Sequence, residues 1–374
     1  MTLSITAQAK KMREEGIDVC SFGAGEPDFD TPDFIKVAAI EALNSGKTKY
    51  TPAAGIPPLR AALAEKLLLE NNIEVSAEQI VVNCGAKHSL FITLQAILDE
   101  GDEVIIPAPY WTSYPEMVKI AGGEPVFIET KREDGWKLRP EDFDDHMSGR
   151  TKAIILNSPG NPTGVVYSKE ELAALGEVAA SEDIVIISDE IYEKLIYNDR
   201  EHVSIASISD ELKNITVTIN GFSKAYSMTG WRLGYVAAPP QIAKAISTIQ
   251  SHTTSNVTSF AQYGALAAVQ ADQGFVKDMR DEFDVRRQYM LNRLQKIQNV
   301  RVVEPEGAFY FLVDTEPMQI KSINLTEKLL SRYHVAAVPG IAFGWDYSIR
   351  LSYAMGLDVI KEGLDRFEDF CVAH

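Results

Sequence analysis

The stretch Asn220–Arg232, Asn-Gly-Phe-Ser-Lys-Ala-Tyr-Ser-Met-Thr-Gly-Trp-Arg, sets an amine, several hydroxyls and a guanidinium close together. It follows Ile215–Ile219, an apolar, β-branched run that reads as a buried strand. Just past the end of that strand, Lys224 can form a Schiff base. Arg232 can grip a phosphate with two parallel N–H donors, and Ser223 can add a hydroxyl contact. An unpaired lysine is more often solvated than buried. The chemistry therefore depends on what else the chain brings to the same place.

Six further short apolar runs have strand length: Ile80–Val82, Glu103–Ile106, Pro125–Ile128, Ala153–Leu156, Ile184–Ser188 and Gly234–Ala237. Helix-like segments such as Lys87–Leu98, Tyr114–Ala121 and Lys169–Ser181 lie between most of them. Strands alternating with helices imply a mostly parallel sheet covered on both faces. Ligands of such sheets bind beyond the carboxyl ends of the strands, and polar residues collect there. Asn83-Cys-Gly-Ala-Lys87 opens a helix, so the amides around Ala86 and Lys87 and the helix's positive end suit a phosphate. Pro107–Trp111 sets the Trp111 ring over the crevice, and the turn-rich loop Asn157–Gly164 offers Asn161. Ser188-Asp-Glu-Ile-Tyr offers a carboxylate at Asp189 and a phenol at Tyr192. Singly, each has a plainer use: Trp111 in packing, Asn161 in a turn, Asp189 as a helix cap. Together with Lys224, at consecutive strand ends, they point to one site.

Ahead of these runs, Ile5–Glu15 reads as a helix and Asp18–Ser21 as a strand. Next comes Gly23-Ala-Gly-Glu-Pro-Asp-Phe-Asp-Thr-Pro, a rigid loop in which Gly25 lets a ligand approach the backbone. Thr31-Pro32 has the form of an N-cap and first turn for a helix over Asp33–Asn44, and Pro57–Asn71 is also helical. Beyond Trp231 lie helical stretches over Pro240–Thr253 and Phe260–Val269, then a charged helix over Val276–Ile297. Asp281-Glu-Phe-Asp-Val-Arg-Arg reads as that helix's solvated face. Val302–Glu304, Ala308–Val313, Val335–Val338 and Ile349–Ser352 suggest an α+β lobe with its own small sheet. Arg350 lies inside the last of these, where a guanidinium wants a carboxylate. The expected division is an N-terminal segment 1–35 joining the small domain, a large domain 36–270 and a C-terminal small domain 271–374.

With 374 residues and 45% hydrophobic content, the chain can bury a sizeable core in two unequal lobes. Its net charge of −17 argues against a nucleic-acid partner, which demands a basic face. A small anionic ligand must find positive charge concentrated locally instead. Cys20, Cys84 and Cys371 have no metal-ligand spacing and cannot all pair, so no metal and a reducing cytoplasm are expected. Met1–Arg13 lacks a signal peptide's apolar core, and no apolar run nears the ~18 residues a membrane span needs.

A Schiff-base lysine, a carboxylate for a ring nitrogen, donors for a phenolate-like oxygen, a phosphate cup and a stacking aromatic call for pyridoxal 5′-phosphate. The segments Gly-Glu-Pro-Asp-Phe-Asp-Thr-Pro, Lys-Tyr-Thr-Pro-x-x-Gly, Asn-Pro-Thr-Gly, Ser-Asp-Glu-Ile-Tyr and Ser-Lys-x-x-x-Met-Thr-Gly-Trp-Arg-x-Gly combine into a specific pattern. From about Thr2 to its end, the chain resembles the fold-type I, class I aminotransferases. The likeness is greatest to the subgroup containing the bacterial aspartate aminotransferases. By that resemblance, Lys224 forms the Schiff base and shuttles the proton, Asp189 pairs with the pyridine nitrogen, and Tyr192 and Asn161 meet the ring oxygen. Ser223, Arg232 and the amides around Ala86 and Lys87 hold the phosphate, while Trp111 stacks on the ring. Arg350 takes the α-carboxylate, with Gly25 and Asn161 nearby. Tyr50 reaches the phosphate of the neighbouring subunit's cofactor, which implies a homodimer.

A dicarboxylic substrate needs a second cation. One branch of the family places an arginine in the region that here reads Ser251-His-Thr-Thr-Ser-Asn-Val, with none. The subgroup resembled uses the lysine of a Gly-x-Lys turn, matched by Gly85-Ala86-Lys87. The resemblance thus implies Lys87 for the distal carboxylate, aspartate and glutamate as donors, and oxaloacetate and 2-oxoglutarate as acceptors. Prephenate or aromatic partners, or carbon–sulfur lyase chemistry, are the alternatives. Members of the subgroup also carry a further segment ahead of the position matching Thr2, which can lend a basic residue to the pocket. That segment is absent or not included in this sequence, which leaves aspartate alone against aspartate plus prephenate open.

Overall fold

The computed structural model describes residues 2–374. Among them, no helix is long and apolar enough to cross a membrane. A two-residue strand, β1 (Cys20–Ser21), precedes seven strands: β2 (Ile80–Asn83), β3 (Glu103–Ala108), β4 (Glu124–Glu129), β5 (Thr151–Asn157), β6 (Val185–Asp189), β7 (Thr216–Gly221) and β8 (Gly234–Ala237). These seven form one sheet in the order β2-β8-β7-β6-β5-β3-β4. Only β8 runs against its neighbours. The link from β7 to β8, Phe222–Leu233, holds only a short 3-10 turn, and without a crossover helix the chain returns antiparallel.

The apolar runs form central strands because both faces of the sheet are covered. On one face, Leu90 and Leu94 of the helix Ala86–Ile97 and Ala243 and Ile246 of Pro240–Thr253 pack on Ile106, Val217 and Val236. On the other, Leu172, Leu175 and Ala179 of the helix Lys169–Ser181 pack on Ile105, Ile154 and Ile186. Burial on both faces is what makes these strands continuous apolar runs rather than alternating ones. Strand order reverses between β3 and β5, which opens a crevice at their carboxyl ends.

Five strands follow: β9 (Arg301–Val302), β10 (Tyr310–Asp314), β11 (Val335–Ala336), β12 (Val338–Pro339) and β13 (Ser348–Ser352). Four of them make an antiparallel sheet, β12-β13-β10-β9. Its core joins Phe311 and Leu351 to Phe283, Leu325 and Phe367 from three helices, Gly274–Leu294, Ser322–Tyr333 and Leu357–Ala373. The run expected as one strand over Val335–Val338 splits at Ala337. β11 pairs in parallel with β1, whereas β12 pairs with β13, so the two halves serve different sheets.

Two local expectations are overturned. Thr31 does not cap the helix Asp33–Asn44; the N-cap is Pro32, with no side-chain bond. The Thr31 hydroxyl instead donates to the Ser227 carbonyl at 2.6 Å and accepts from Trp231 Nε1 at 3.1 Å, tying the loop to the lysine segment. The supposed solvated face at Asp281–Arg287 holds buried Phe283, Arg286 and Arg287. Arg286 pairs with Asp28 and Glu282, and Arg287 with Asp284, Glu304 and Asn198. Those partners neutralise cations that the local sequence pattern assigns to water.

Candidate active site

A cavity of about 1080 Å³ lies beyond the carboxyl ends of β2, β3, β5, β6 and β7. Gly25, Ala86, Lys87, Trp111 and Asn161 line it, as do Asp189, Tyr192, Ser223, Lys224, Arg232 and Arg350. Tyr50 is not among the lining residues and is 89% exposed, so it is not core packing either.

Lys224 projects from the turn after β7, and its Nζ donates to the Gly25 carbonyl. The Tyr192 and Phe309 rings flank the amine, their centroids 5.8 and 5.7 Å away. Burial, and then the Arg350 and Arg232 guanidiniums, bring its pKa down to about 8, although Glu26 opposes them. Near neutrality a fraction of such an amine is unprotonated, far more than of an ordinary lysine, and that fraction can act as a base or nucleophile.

Asp189 ends β6 and is buried. Its Oδ2 accepts from the Tyr114 hydroxyl at 2.7 Å and its Oδ1 from the Ile191 amide at 3.3 Å. Burial pushes its carboxyl up to about 6, against those two hydrogen bonds. The Tyr192 and Tyr310 hydroxyls are 3.0 Å apart, and burial raises the Tyr192 phenol well above its usual value. Asn157 organises the loop after β5: its Oδ1 accepts from the Asn161 amide at 2.8 Å and its Nδ2 donates to the Asp189 carbonyl at 2.9 Å.

Arg350, in the centre of β13, sends Nη1 to Asn161 Oδ1 at 3.0 Å and Nη2 to the Gly23 carbonyl at 3.3 Å. Its guanidinium lies 4.2 Å from the Tyr310 ring centroid and 5.1 Å from that of Phe343. Its buried Nε has no acceptor among the described residues. A planar cation held on two aromatic faces with a donor unspent is suited to a carboxylate.

At the far side, Gly85 caps the helix Ala86–Ile97 with φ of 90°, which favours glycine. A Cβ there would come within 2.6 Å of Arg232 Nη2. Arg232 is held by the Thr229 carbonyl at 2.9 Å and the Cys84 carbonyl at 3.3 Å, so its fork stays beside the first amides of that helix. Those amides have no partner within the helix. Lys87 Nζ lies 4.8 Å from the Trp111 ring centroid, and burial followed by the Arg232 charge lowers its pKa. The residues present fit pyridoxal phosphate. A glycine-cleared cup of amides, guanidinium and hydroxyl suits its phosphate, and the buried Asp189, with no cation bonded to it among the described residues, suits its ring nitrogen.

Tyr114, Tyr310 and Asn157 escaped the sequence reading as site residues. Tyr114 opens the helix Tyr114–Ile120, three positions after Trp111, and its ring meets that of Trp111 at 5.4 Å; its nearness in sequence to Trp111 was the available signal. Tyr310 sits in a wholly buried strand, where nothing in the sequence separates a functional phenol from packing. Arg13 also borders the cavity.

A family model described as "Aminotransferase class I and II" matches residues 17–367. A probable aspartate/prephenate aminotransferase of Aquifex aeolicus is 53% identical over 98% of this chain and 94% of its own. The aspartate aminotransferase of Bacillus subtilis is 49% identical over 100% of this chain and 96% of its own. Among solved structures, the Thermus thermophilus aspartate aminotransferase with maleate superposes with a TM-score of 0.95 at 44% identity, covering 99% of this chain and 96% of that one.

Proposed function

The chain belongs to the class I and II aminotransferase family, and on that premise we propose that it uses pyridoxal 5′-phosphate to exchange amino groups between L-aspartate or L-glutamate and 2-oxo acids, oxaloacetate and 2-oxoglutarate. The observation that carries this reading is one cavity joining an amine of pKa about 8, a buried carboxylate and an arginine with an unspent buried donor. When bound, the cofactor supplies a carbonyl carbon that condenses with amines and a ring that takes up electrons released at the amino acid's Cα. Asp189 would keep the ring nitrogen protonated, and Tyr192 and Asn161 would meet the ring oxygen. Ser223, Arg232 and the Ala86 and Lys87 amides would hold the phosphate, with Trp111 against the ring. Lys224 takes the proton from Cα as a neutral amine and gives it back as an ammonium. Arg350 binds the α-carboxylate in a bidentate pair, steadied by Asn161 and Tyr310.

Lys87 carries the choice of substrate. It stands at a helix N-terminus, an unfavourable place for a cation unless an anion joins it. The cofactor's phosphate is one such anion, held by the amides, and a distal carboxylate would meet the ammonium itself. Lys87→Ala should therefore raise KM for aspartate roughly ten- to a hundredfold, the worth of a charged hydrogen bond, and leave KM for alanine nearly unchanged. Equal changes for both would remove Lys87 from this role. Prephenate is a second acceptor to consider, because the Aquifex relative bears that name and Trp111, Tyr310 and Phe343 give the cavity aromatic walls.

A two-fold dimer completes the site in this reading. The helix Asp33–Asn44 exposes Phe34, Val37, Ile40 and Leu43 as an apolar stripe, and the exposed Tyr50 follows it. The free thiols of Cys20, Cys84 and Cys371 support the cytoplasm as its setting. Loaded with pyridoxal phosphate, the protein should show a visible band that bleaches on adding aspartate or glutamate, in a species that sediments as a dimer. An unbleached band would refute the aminotransferase reading, and an active monomer would refute the shared site.

A further inference from the structure

The segment after β6 faces two ways. Asp189 and Tyr192 enter the cavity, whereas Glu190 and Glu193 enter a buried polar network that the chemistry above does not use. Every carboxylate oxygen in that network has a partner. Glu190 Oε1 accepts from Ser188 Oγ at 2.8 Å, and its Oε2 meets His202 Nε2 at 2.8 Å and Ser204 Oγ at 2.5 Å. Glu193 Oε1 pairs with Lys66 Nζ, and its Oε2 accepts from Asn71 Nδ2 at 2.7 Å. Asn71 closes the circuit, accepting from Lys66 Nζ at 2.8 Å and donating to Ser204 Oγ at 3.0 Å.

Burial works against the Glu193 carboxylate, yet Lys66 and then His202 hold it down to about 2. Burial works equally against the Lys66 ammonium, and Glu193 lifts it above the ordinary lysine value. A buried pair of this kind adds little net stability. Glu190, Glu193 and His202 are close enough together to suggest a metal site. Lys66 already supplies the cation there, and the carboxylate oxygens are all engaged.

Outside this network, Ile191, Tyr192 and Leu195 pack in the core, and the Glu190 amide donates to the Ile219 carbonyl at 2.9 Å, so the network adds the segment's polar tie to the helix Pro57–Asn71. No helix or strand spans residues 190–194. Its own backbone bonds run from the Glu193 amide to the Glu190 carbonyl at 2.9 Å and from the Leu195 amide to the Tyr192 carbonyl at 2.8 Å. Resting on the aminotransferase reading, we propose that Glu190 and Glu193, clamped by Lys66, Asn71, His202 and Ser204, are positioning residues for the reaction. They tie the helix Pro57–Asn71 to the turn and hold Asp189 and Tyr192 at their angle into the cavity. Misplacing a reacting group by about 1 Å costs up to about a hundredfold in rate, so a clamp that adds little stability still has a function.

Glu193→Ala leaves Lys66 with Asn71 and with Glu70 at 3.5 Å, a carboxylate that Lys194 also holds, so a charge-free pair serves as its control. The variant should take up pyridoxal phosphate, and its kcat per bound cofactor should fall roughly ten- to a hundredfold. KM for the amino acid should stay within about threefold, since Arg350 is untouched. The pH midpoint of the cofactor's visible absorbance should move, because Tyr192 moves. The neutral pair Lys66→Met/Glu193→Gln, whose new amide can exchange two hydrogen bonds with Asn71, should recover most of the kcat and the wild-type midpoint. A Glu193→Ala protein with wild-type kcat per bound cofactor and an unmoved midpoint overturns the proposal, whatever its melting temperature. A wild type that neither takes up the cofactor nor transaminates refutes the functional reading instead, and comparing each variant with wild type keeps the two failures apart.

Discussion

Replacing Lys224 with alanine should slow transamination of aspartate by roughly four orders of magnitude, the upper end of what a positioned acid–base group contributes. The cofactor should still bind, through Asp189, Arg232 and the amides of the Gly85 turn. No neighbour can take over the proton. Arg232 and Arg350 cannot give up theirs, and burial holds the Tyr192 phenol in its protonated form. Lys87 sits over the Trp111 ring, on the side of the cavity where the phosphate turn begins. Steady-state rates set beside the visible spectrum of the same sample separate lost chemistry from lost binding. Sizeable turnover in Lys224→Ala would mean that another group moves the proton. The depressed pKa has its own signature. Only a neutral amine condenses with a carbonyl, and at pH 7.5 a lysine of pKa about 8 is roughly a quarter neutral, against about a thousandth for an ordinary one. Uptake of pyridoxal phosphate by the wild-type protein should therefore accelerate as the pH rises through about 8 and then level off. A rate still climbing steeply towards pH 10 would contradict the lowered value.

The residues that could be read from the sequence are those that follow an apolar run directly. Lys224 comes three residues after the end of β7, Asn161 four after β5, and Trp111 three after β3, while Asp189 ends β6 itself. A doubly covered sheet makes its strands visible as apolar runs, and the crevice at their carboxyl ends then makes their neighbours suspects. Arg350 was legible for the opposite reason, as a charge inside a strand. Long-range pairing was not legible. Asp281–Arg287 carries the charge pattern of a wet helix face, but the partners that bury Arg286 and Arg287 include Asp28, Glu304 and Asn198, far away in the chain. Lys66 carries no local signal in the helix Pro57–Asn71, and only the fold brings Glu193 to it. Thr31 had the local form of a cap, yet the contact it makes reaches across to Ser227 and Trp231. Periodicity and turn chemistry report what a residue does within its own element. They carry no signal for a partner supplied by another.

Asp189→Asn should cost roughly a hundred- to a thousandfold in kcat/KM, the range for removing one preorganised electrostatic group, and yet it should make the cofactor-free protein more stable. In that state the carboxylate is buried at the cavity floor with only the Tyr114 hydroxyl and the Ile191 amide to hold it. Its pKa stands at about 6 in the folded chain against 3.8 for the free side chain. The native state therefore binds this proton more tightly than the unfolded state does. Below about pH 4 both states are protonated and the residue adds no penalty. As the pH rises from about 4 to 6 the unfolded chain releases its proton first, and the folded protein loses stability by an amount approaching about 3 kcal/mol. The loss is complete by about one unit above pH 6. An asparagine carries no such proton, and Tyr114 can turn its hydroxyl to suit the amide. Melting curves of the two cofactor-free proteins should therefore converge near pH 4 and separate by a few degrees at pH 7 to 8, with the asparagine variant the more stable. Adding pyridoxal phosphate should reverse the order, because only the carboxylate gains a protonated ring nitrogen as its partner. A wild type that melts higher than Asp189→Asn at neutral pH without cofactor would show that the carboxylate is already compensated within the protein, and that it is not waiting for a cationic ring.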